Sequence, residues 1–345
     1  MPSQTGANEQ ETSYPVGTSD FVRTFRSGQN YKAALPKLAT QYFGHRVTLT
    51  SATPILTANT TAQTTIYCTP FIHDKVAIYD GTYINVLSMA EQSLSLDTTN
   101  FLAGHLYDLF VAISGGNFVF GYGPAWTNLT TRSATLSTIA GIQSNNATIT
   151  LRTNSSTTFS ISANQASYVG TAYATANGQT GMAFSVTAVG GGASILGLFN
   201  QYNRVPMFVT SLDSTSSWTY ATATWRCANG STSNAVSFID GLGVVYARAV
   251  YQVGTQPSAA ATGVDIGVNL NSTSASPTIS CAPLEGISVT VAGEETSYNS
   301  FLPTQGYNTL FAMEAADTAA TQTLYGSGWS GVSTQTQRLT AELLL

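Results

Sequence analysis

From Tyr42 onward the chain keeps returning to one pattern: a short run in which β-branched or aromatic residues alternate with polar ones, followed by turn residues. His45–Thr50, Thr64–Thr69, Val76–Tyr79 and Tyr83–Leu87 open the series. A period of two places every second side chain on one face of an extended strand, so such runs cannot bury a face as helices. Asp80-Gly81, between the third and fourth runs, is the strongest hairpin signal. The pattern continues through Leu106–Ser114, Asn117–Tyr122, Ala147–Arg152, Thr158–Ile161 and Tyr168–Ala174. After an interruption it resumes at Met207–Thr210, Ser217–Trp225, Ala235–Leu242, Val244–Gln252, Val264–Leu270, Ile287–Ala292, Tyr307–Ala315 and Leu324–Tyr325. Short strands at even spacing predict an all-β chain of antiparallel sandwiches or barrels. Short helices are expected only in the N-terminal arm or around the interruption, with Leu87–Leu96 a weaker candidate.

At 345 residues the chain exceeds the usual single core of about 100–200 residues. The interruption follows Gly190-Gly191-Gly192, where an apolar stretch runs to Pro206 as a short helix or an extended connector. The expected organisation is therefore an arm over 1–42, a β-sandwich or barrel over 43–195, a connector over 196–205 and a jelly-roll-like sandwich over 206–345.

Charge narrows the function. Lys and Arg number 12 and Asp and Glu 17, so ionisable residues make up 8% of the chain, where ordinary domains carry about 25%. Such a surface must be built from hydroxyls, amides and small apolar groups. The net charge of −5 leaves no basic footprint, which excludes nucleic acid and anionic membranes as main partners. There is no apolar run of about 18 residues, and the N-terminus lacks the basic start and apolar core of a signal peptide. A soluble, non-secreted protein is expected. Cys68, Cys227 and Cys281 form neither a CxxC pair nor an even set, so buried free thiols are expected.

A search for chemistry finds little. His45, His73 and His105 have no spacing that would place two on one helix face, and they read as ordinary loop or sheet-edge residues. No GxSxG occurs, and the glycine triplet lacks the Lys and Ser/Thr of a phosphate loop. The carboxylate pairs Asp74/Asp80, Glu294/Glu295 and Glu314/Asp317 are the candidates for glycan hydrolysis, but no Trp/Arg constellation flanks them. No catalytic, metal or cofactor site is expected. The 17 Tyr, 15 Phe and 4 Trp could stack on sugar rings, but at period two in strands they are expected to pack across strands.

The arm is where basic charge concentrates. Phe21, Arg23, Phe25 and Arg26, then Tyr31 and Lys32, stand in two alternating runs around Ser27-Gly28, with Lys37 beyond. Two short strands make no core of their own. The segment either docks on a partner through its aromatic and Arg residues or packs as a hairpin on its own domain.

In collinear order, Gly44–Pro54, Thr65–Pro70, Ile78–Gly81, Tyr107–Phe110, Ala125–Asn128, Tyr168–Thr171, Phe199–Val205, Ser217–Tyr220 and Thr224–Arg226 resemble the virion structural proteins of tailed bacteriophages, of the tail-fibre, head-fibre or head-decoration type. The resemblance spans most of residues 19–345 and rests on order rather than on any catalytic signature. It departs at the uncharged Gly190–Leu198, where such proteins often carry acidic or Arg-rich residues. It implies a non-enzymatic, homotrimeric β protein of the virion, assembled in the host bacterial cytoplasm. It further implies attachment to capsid or tail proteins through the arm, at Phe21, Arg23, Phe25, Arg26, Tyr31 and Lys32. A carbohydrate-binding module that recognises a host surface glycan is the alternative, and a glycan hydrolase is the third class.

Overall fold

The computed structural model describes residues 21–26, 29–34, 43–259, 262–277, 280–281, 293–316, 321–330 and 337–345, with backbone alone for 21–34, 280–281 and 293–295. The chain is all-β. Among the described residues the helical content is a single 3-10 turn, Ala228–Gly230. The stretch expected as a weak helix, Leu87–Leu96, instead ends one strand (Ile84–Ser88) and contains another (Gln92–Ser95). Leu94 alone in that second strand is buried, so a one-sided strand suffices where a helix would have needed a wider apolar stripe.

The first large sheet is ordered Leu136–Ile139, Ile142–Asn145, Ala166–Tyr173, Leu106–Ser114, Asn117–Ala125, Ile149–Arg152 and Thr158–Ile161. Its centre is the hairpin of Leu106–Ser114 with Asn117–Ala125, where Ser114 faces Asn117 across Gly115 and Gly116. Both glycines have positive φ (58° and 81°), as a two-residue turn matching strand twist requires. The hairpin expected at Asp80-Gly81 forms between Lys75–Tyr79 and Ile84–Ser88, with Tyr79 facing Ile84. Its loop is four residues long because Asp80 Oδ1 accepts the N–H groups of Thr82 and Tyr83 (2.8 and 2.7 Å) and closes the turn itself.

The second sheet is ordered Ser280–Cys281, Val264–Leu270, Gly306–Ala316, Ala235–Asp240, Ser194–Leu196, Thr180–Ala183 and Thr60–Gln63. The third is ordered Ser185–Ala188, Pro206–Asp213, Arg338–Leu344, Ala247–Pro257, Gln322–Tyr325 and Ser217–Tyr220, and Gly293–Phe301 also pairs with Ala247–Pro257. Both sheets draw strands from either side of the expected boundary near 195–206. The expected connector is extended: Leu198–Asn200 pairs with Ala166–Tyr173 in the first sheet. Two pairings are parallel, Ser185–Ala188 with Pro206–Asp213 and Ser194–Leu196 with Ala235–Asp240, so the sheets are mixed rather than purely antiparallel.

One continuous hydrophobic core runs through these layers, from Phe43, Ile66 and Leu94 through Phe110 and Tyr168 to Phe238, Ile266 and Leu339. Arg46 is sealed within it. Its guanidinium donates to the carbonyls of Pro54 (3.0 Å), Leu345 (3.2 Å) and Asn203, and burial lowers its pKa to about 10. At neutral pH the side chain therefore stays charged and spans three distant segments. The arm hairpin, Phe21–Arg26 against Gln29–Ala34, forms a two-stranded sheet of its own, with Arg23 opposite Lys32.

Candidate functional site

A chain with so few ions places several of them inside. Asp97, Asp108, Asp213, Asp240 and Glu314 are all buried, and each is surrounded by donors. Asp108 sits mid-strand in the otherwise apolar run Leu106–Ser114. Arg132 grips it with both arms of its fork, Nε to Oδ2 at 2.6 Å and Nη2 to Oδ1 at 3.2 Å. The Thr171 hydroxyl donates to Oδ1 at 2.8 Å, and the Arg132 plane lies 4.3 Å from the Trp126 ring centre. Arg132 also donates to Gln305 Oε1 (2.7 Å) and to the carbonyl of Gly241. Only glycine fits at 241, since a Cβ there would lie 2.1 Å from the Tyr168 hydroxyl oxygen. Burial works against the Arg132 charge, but Asp108 and Tyr168 outweigh it and hold the guanidinium above its ordinary value.

Glu314 forms the second node. Its Oε2 accepts Trp218 Nε1 at 2.9 Å, while Oε1 accepts Arg226 Nη2 and Nε (2.7 and 2.9 Å) and the N–H of Asn229 (3.2 Å). Burial pushes this carboxyl up against the opposing pull of Arg226. Asp213 accepts the N–H groups of Gly190 and Thr215 on one oxygen and the amides of Asn229 and Asn234 on the other. Asp240 accepts four successive backbone N–H groups, Leu242 to Val245, at 2.8–3.1 Å. These carboxylates fix backbone and neighbouring side chains, and their oxygens are occupied by that role.

A cleft of about 630 Å³ opens on the first sheet, beside the bulge between Tyr122 and Ala125. Its lining is neutral and small: Ser133, Thr135, Thr148 and Thr150 around Ala125 and Ala134, with Arg152 as its one cation. Arg152 faces Tyr122 across the strand pair. The Tyr107 and Tyr122 hydroxyls in the floor are engaged, donating to the Asn100 carbonyl (2.9 Å) and to Asp97 Oδ2 (2.6 Å). Their rings are almost wholly buried, so they offer a sugar an edge but no stacking platform.

The residues nominated from sequence are scattered. Phe21, Arg23, Phe25, Arg26, Tyr31 and Lys32 lie on the arm hairpin, and their side chains fall outside the described residues. His45 is buried with Nε2 2.9 Å from the Met89 carbonyl, and burial holds its pKa below the ordinary value. His73 Nδ1 accepts the Lys75 N–H, and His105 lies at the surface near Tyr107. No group of three metal-ligating side chains occurs among the described residues. Asp74 pairs with Lys75 at 3.5 Å on the surface, and Asp80 is spent on its turn. Asp317 and the side chains of Glu294 and Glu295 lie outside the described residues. Cys68 and Cys227 are free and buried, as expected; the Cys281 side chain lies outside the described residues. The Asp108–Arg132 node was missed, although an acid inside an apolar strand run is a legible signal of a buried partner.

No protein-family model and no curated protein matches this chain. Among solved structures, dimeric latent PorU from Porphyromonas gingivalis aligns at 13% identity and a TM-score of 0.28, over 73% of this chain and 26% of that one. The insecticidal delta-endotoxin Cry8Ea1 from Bacillus thuringiensis aligns at 9% identity and a TM-score of 0.22, over 94% and 58%. This chain thus spans about a quarter and somewhat over half of those two proteins. Likeness at this level supports no statement about fold or function. The class that fold and site define is an all-β protein with internal ion nodes and a charge-poor exterior. No helix among the described residues is long and apolar enough to cross a membrane.

Proposed function

We propose that the chain is a non-enzymatic structural protein of a tailed-phage virion, a homotrimeric fibre or capsid-decoration subunit attached through its N-terminal arm and assembled in the host bacterial cytoplasm. The observation that carries this reading is the placement of charge. Of the few ions, Arg46, Asp97, Asp108, Asp213, Asp240 and Glu314 are buried and the Arg132 side chain is only 7% exposed, while scattered ions such as Lys75, Arg248 and Glu342 stand on an exterior that is otherwise rich in hydroxyls and amides. Neutral hydrogen-bonding surfaces let subunits meet without stripping water from ions, a large cost in any permanent assembly. The collinear phage resemblance points the same way. The arm hairpin pairs with no other described strand, which suits a segment that docks elsewhere through Phe21, Arg23, Phe25, Arg26, Tyr31 and Lys32.

Mass spectrometry of purified particles, with antibody labelling in electron micrographs, tests membership and location together. Deleting residues 1–42 should leave the melting temperature unchanged and abolish incorporation. Truncated protein that still reaches particles at normal copy number would place the anchor elsewhere.

The second reading, a module that binds a host surface glycan, is favoured by the Ser/Thr-lined cleft. Its volume lies within the usual range for ligand sites, about 300–1,000 Å³.

A further inference from the structure

The outer face of the third sheet gathers several exposed large apolar side chains. Along Pro206–Asp213, Arg338–Leu344 and Ala247–Pro257 the side chains alternate cleanly, with Met207, Val209, Leu339, Ala341, Leu343, Ala249 and Tyr251 turned into the core. The opposite set should then be polar. Among polar members such as Thr210, Thr340 and Gln252 it carries Phe208 and Leu344, 64 and 42% exposed, and these are flanked by Tyr246 just before Ala247–Pro257 and by Tyr298 on Gly293–Phe301, 47 and 49% exposed. Register makes them neighbours: Phe208 stands opposite Glu342, Glu342 opposite Arg248, and Val250 in the next outward row opposite Tyr298. A hollow of about 240 Å³ lies between Tyr246 and Leu344. Aromatic residues with an Arg at the centre of an apolar patch are the composition of energetically dominant interface positions.

We propose that a second copy of this chain covers this face, with Arg248 of each copy set against Glu342 of the other. The inference rests on the self-association part of the reading above and adds to it a pairwise contact, two copies facing each other across a two-fold axis. Charge complementarity selects the occupant. Arg248 and Glu342 are 3.8 Å apart, each nearly half exposed, and together they leave the patch neutral. A two-fold axis perpendicular to the line joining these two charges sets each Arg248 against the other copy's Glu342, while the exposed Arg338 lies further along the same strand, donating to Gln252. An acidic or basic partner would leave one of the pair facing its own sign. Arg248 also lies 5.3 Å from the Tyr298 ring centre, which holds the guanidinium flat and presentable. Four strands at about 4.8 Å spacing, several residue pairs long, give a flat footprint of roughly 500 Å². That is below the ~800 Å² per partner of standard interfaces, so association through this face alone is weak and concentration-dependent.

Sedimentation velocity on the full chain across a concentration series tests the proposal, using wild type, F208S, R248E, E342R and the R248E/E342R double swap. These side chains are exposed, and an unchanged melting temperature confirms that each variant folds. Wild type should associate with rising concentration. F208S and each single charge reversal should weaken association by about tenfold, equivalent to ~1.4 kcal/mol, and the double swap should restore it. Association that every variant retains overturns this face while leaving self-association standing. Single reversals that weaken association without recovery in the double swap overturn the reciprocal Arg248–Glu342 contact. Wild type that stays monomeric throughout overturns both the face and the self-association reading. If F208S then also loses uptake into particles, a different virion protein covers the patch.

Discussion

Arg132 and Asp108 form a two-pronged ion pair with both side chains only 7% exposed, and each partner is needed to make the other's burial tolerable. The pair ties the central strands of the first sheet to Gly241 and Gln305 in loops more than 100 residues away. An ion pair this enclosed is costly to halve, because removing one charge leaves the other desolvated and alone. Asp108→Ala should therefore lower unfolding free energy by about 3–5 kcal/mol in urea titration. The apolar double variant Asp108→Leu with Arg132→Met should lose much less. A single variant as stable as wild type would mean that solvent reaches the pair.

His45 makes stability depend on pH in a stated direction. Burial lowers its pKa below the ordinary 6.5, outweighing the nearby Asp74. Its Nε2 is committed to the Met89 carbonyl, and its buried Nδ1 has no hydrogen-bond partner to receive a proton's charge. The folded state thus prefers the neutral ring. This contribution is complete above the unfolded value of 6.5 and is lost as pH falls from there towards the folded value, at up to ~1.4 kcal/mol per pH unit. Melting temperatures between pH 8 and pH 5 should decline on the acid side, and His45→Gln should flatten that decline. An identical slope in the variant would assign it to other groups.

Strand sharing predicts how the chain comes apart. Ser185–Ala188 pairs with Pro206–Asp213 and Ser194–Leu196 with Ala235–Asp240, so a cut in 196–205 separates strands that share sheets and takes partners from both products. Separately expressed 1–195 and 206–345 should each lack the cooperative unfolding of the intact chain, which should melt in one transition. Two independent transitions matching two stable fragments would show that the shared strands are dispensable.

The cleft yields the sharpest test of the glycan alternative. If a host polysaccharide seats there, Arg152→Ala should reduce binding on a glycan array by about tenfold or more while leaving the fold intact, because Arg152 is the one fork donor in a neutral lining. Binding that survives the change, or an array with no signal for wild type, removes the cleft from consideration.

Legibility in the sequence followed the range of the forces involved. Leu106–Ser114, Thr158–Ile161 and Val264–Leu270 were readable residue for residue, since alternation and turn residues are local signals. Arg338–Leu344 was not: Leu, Ala, Glu and Arg carry little β propensity, and only its position between Pro206–Asp213 and Ala247–Pro257 makes it a strand. The parallel pairings and shared sheets were invisible for the same reason, because a strand's own pattern does not name its partner. Asp108 and Glu314 are acids within apolar runs, a signal the sequence reading passed over, and Arg132 and Arg226 could be matched to them only through space.

The inward placement of ions also separates two kinds of sequence freedom. On the exterior, Ser, Thr and Asn can replace one another without altering charge or uncovering an ion, and such changes usually cost under about 0.5 kcal/mol. At Asp108, Arg132, Asp213, Asp240 or Glu314 almost any replacement strands an enclosed partner. The protein can thus redraw what an outside observer recognises, whether antibody or host, while the scaffold beneath holds still.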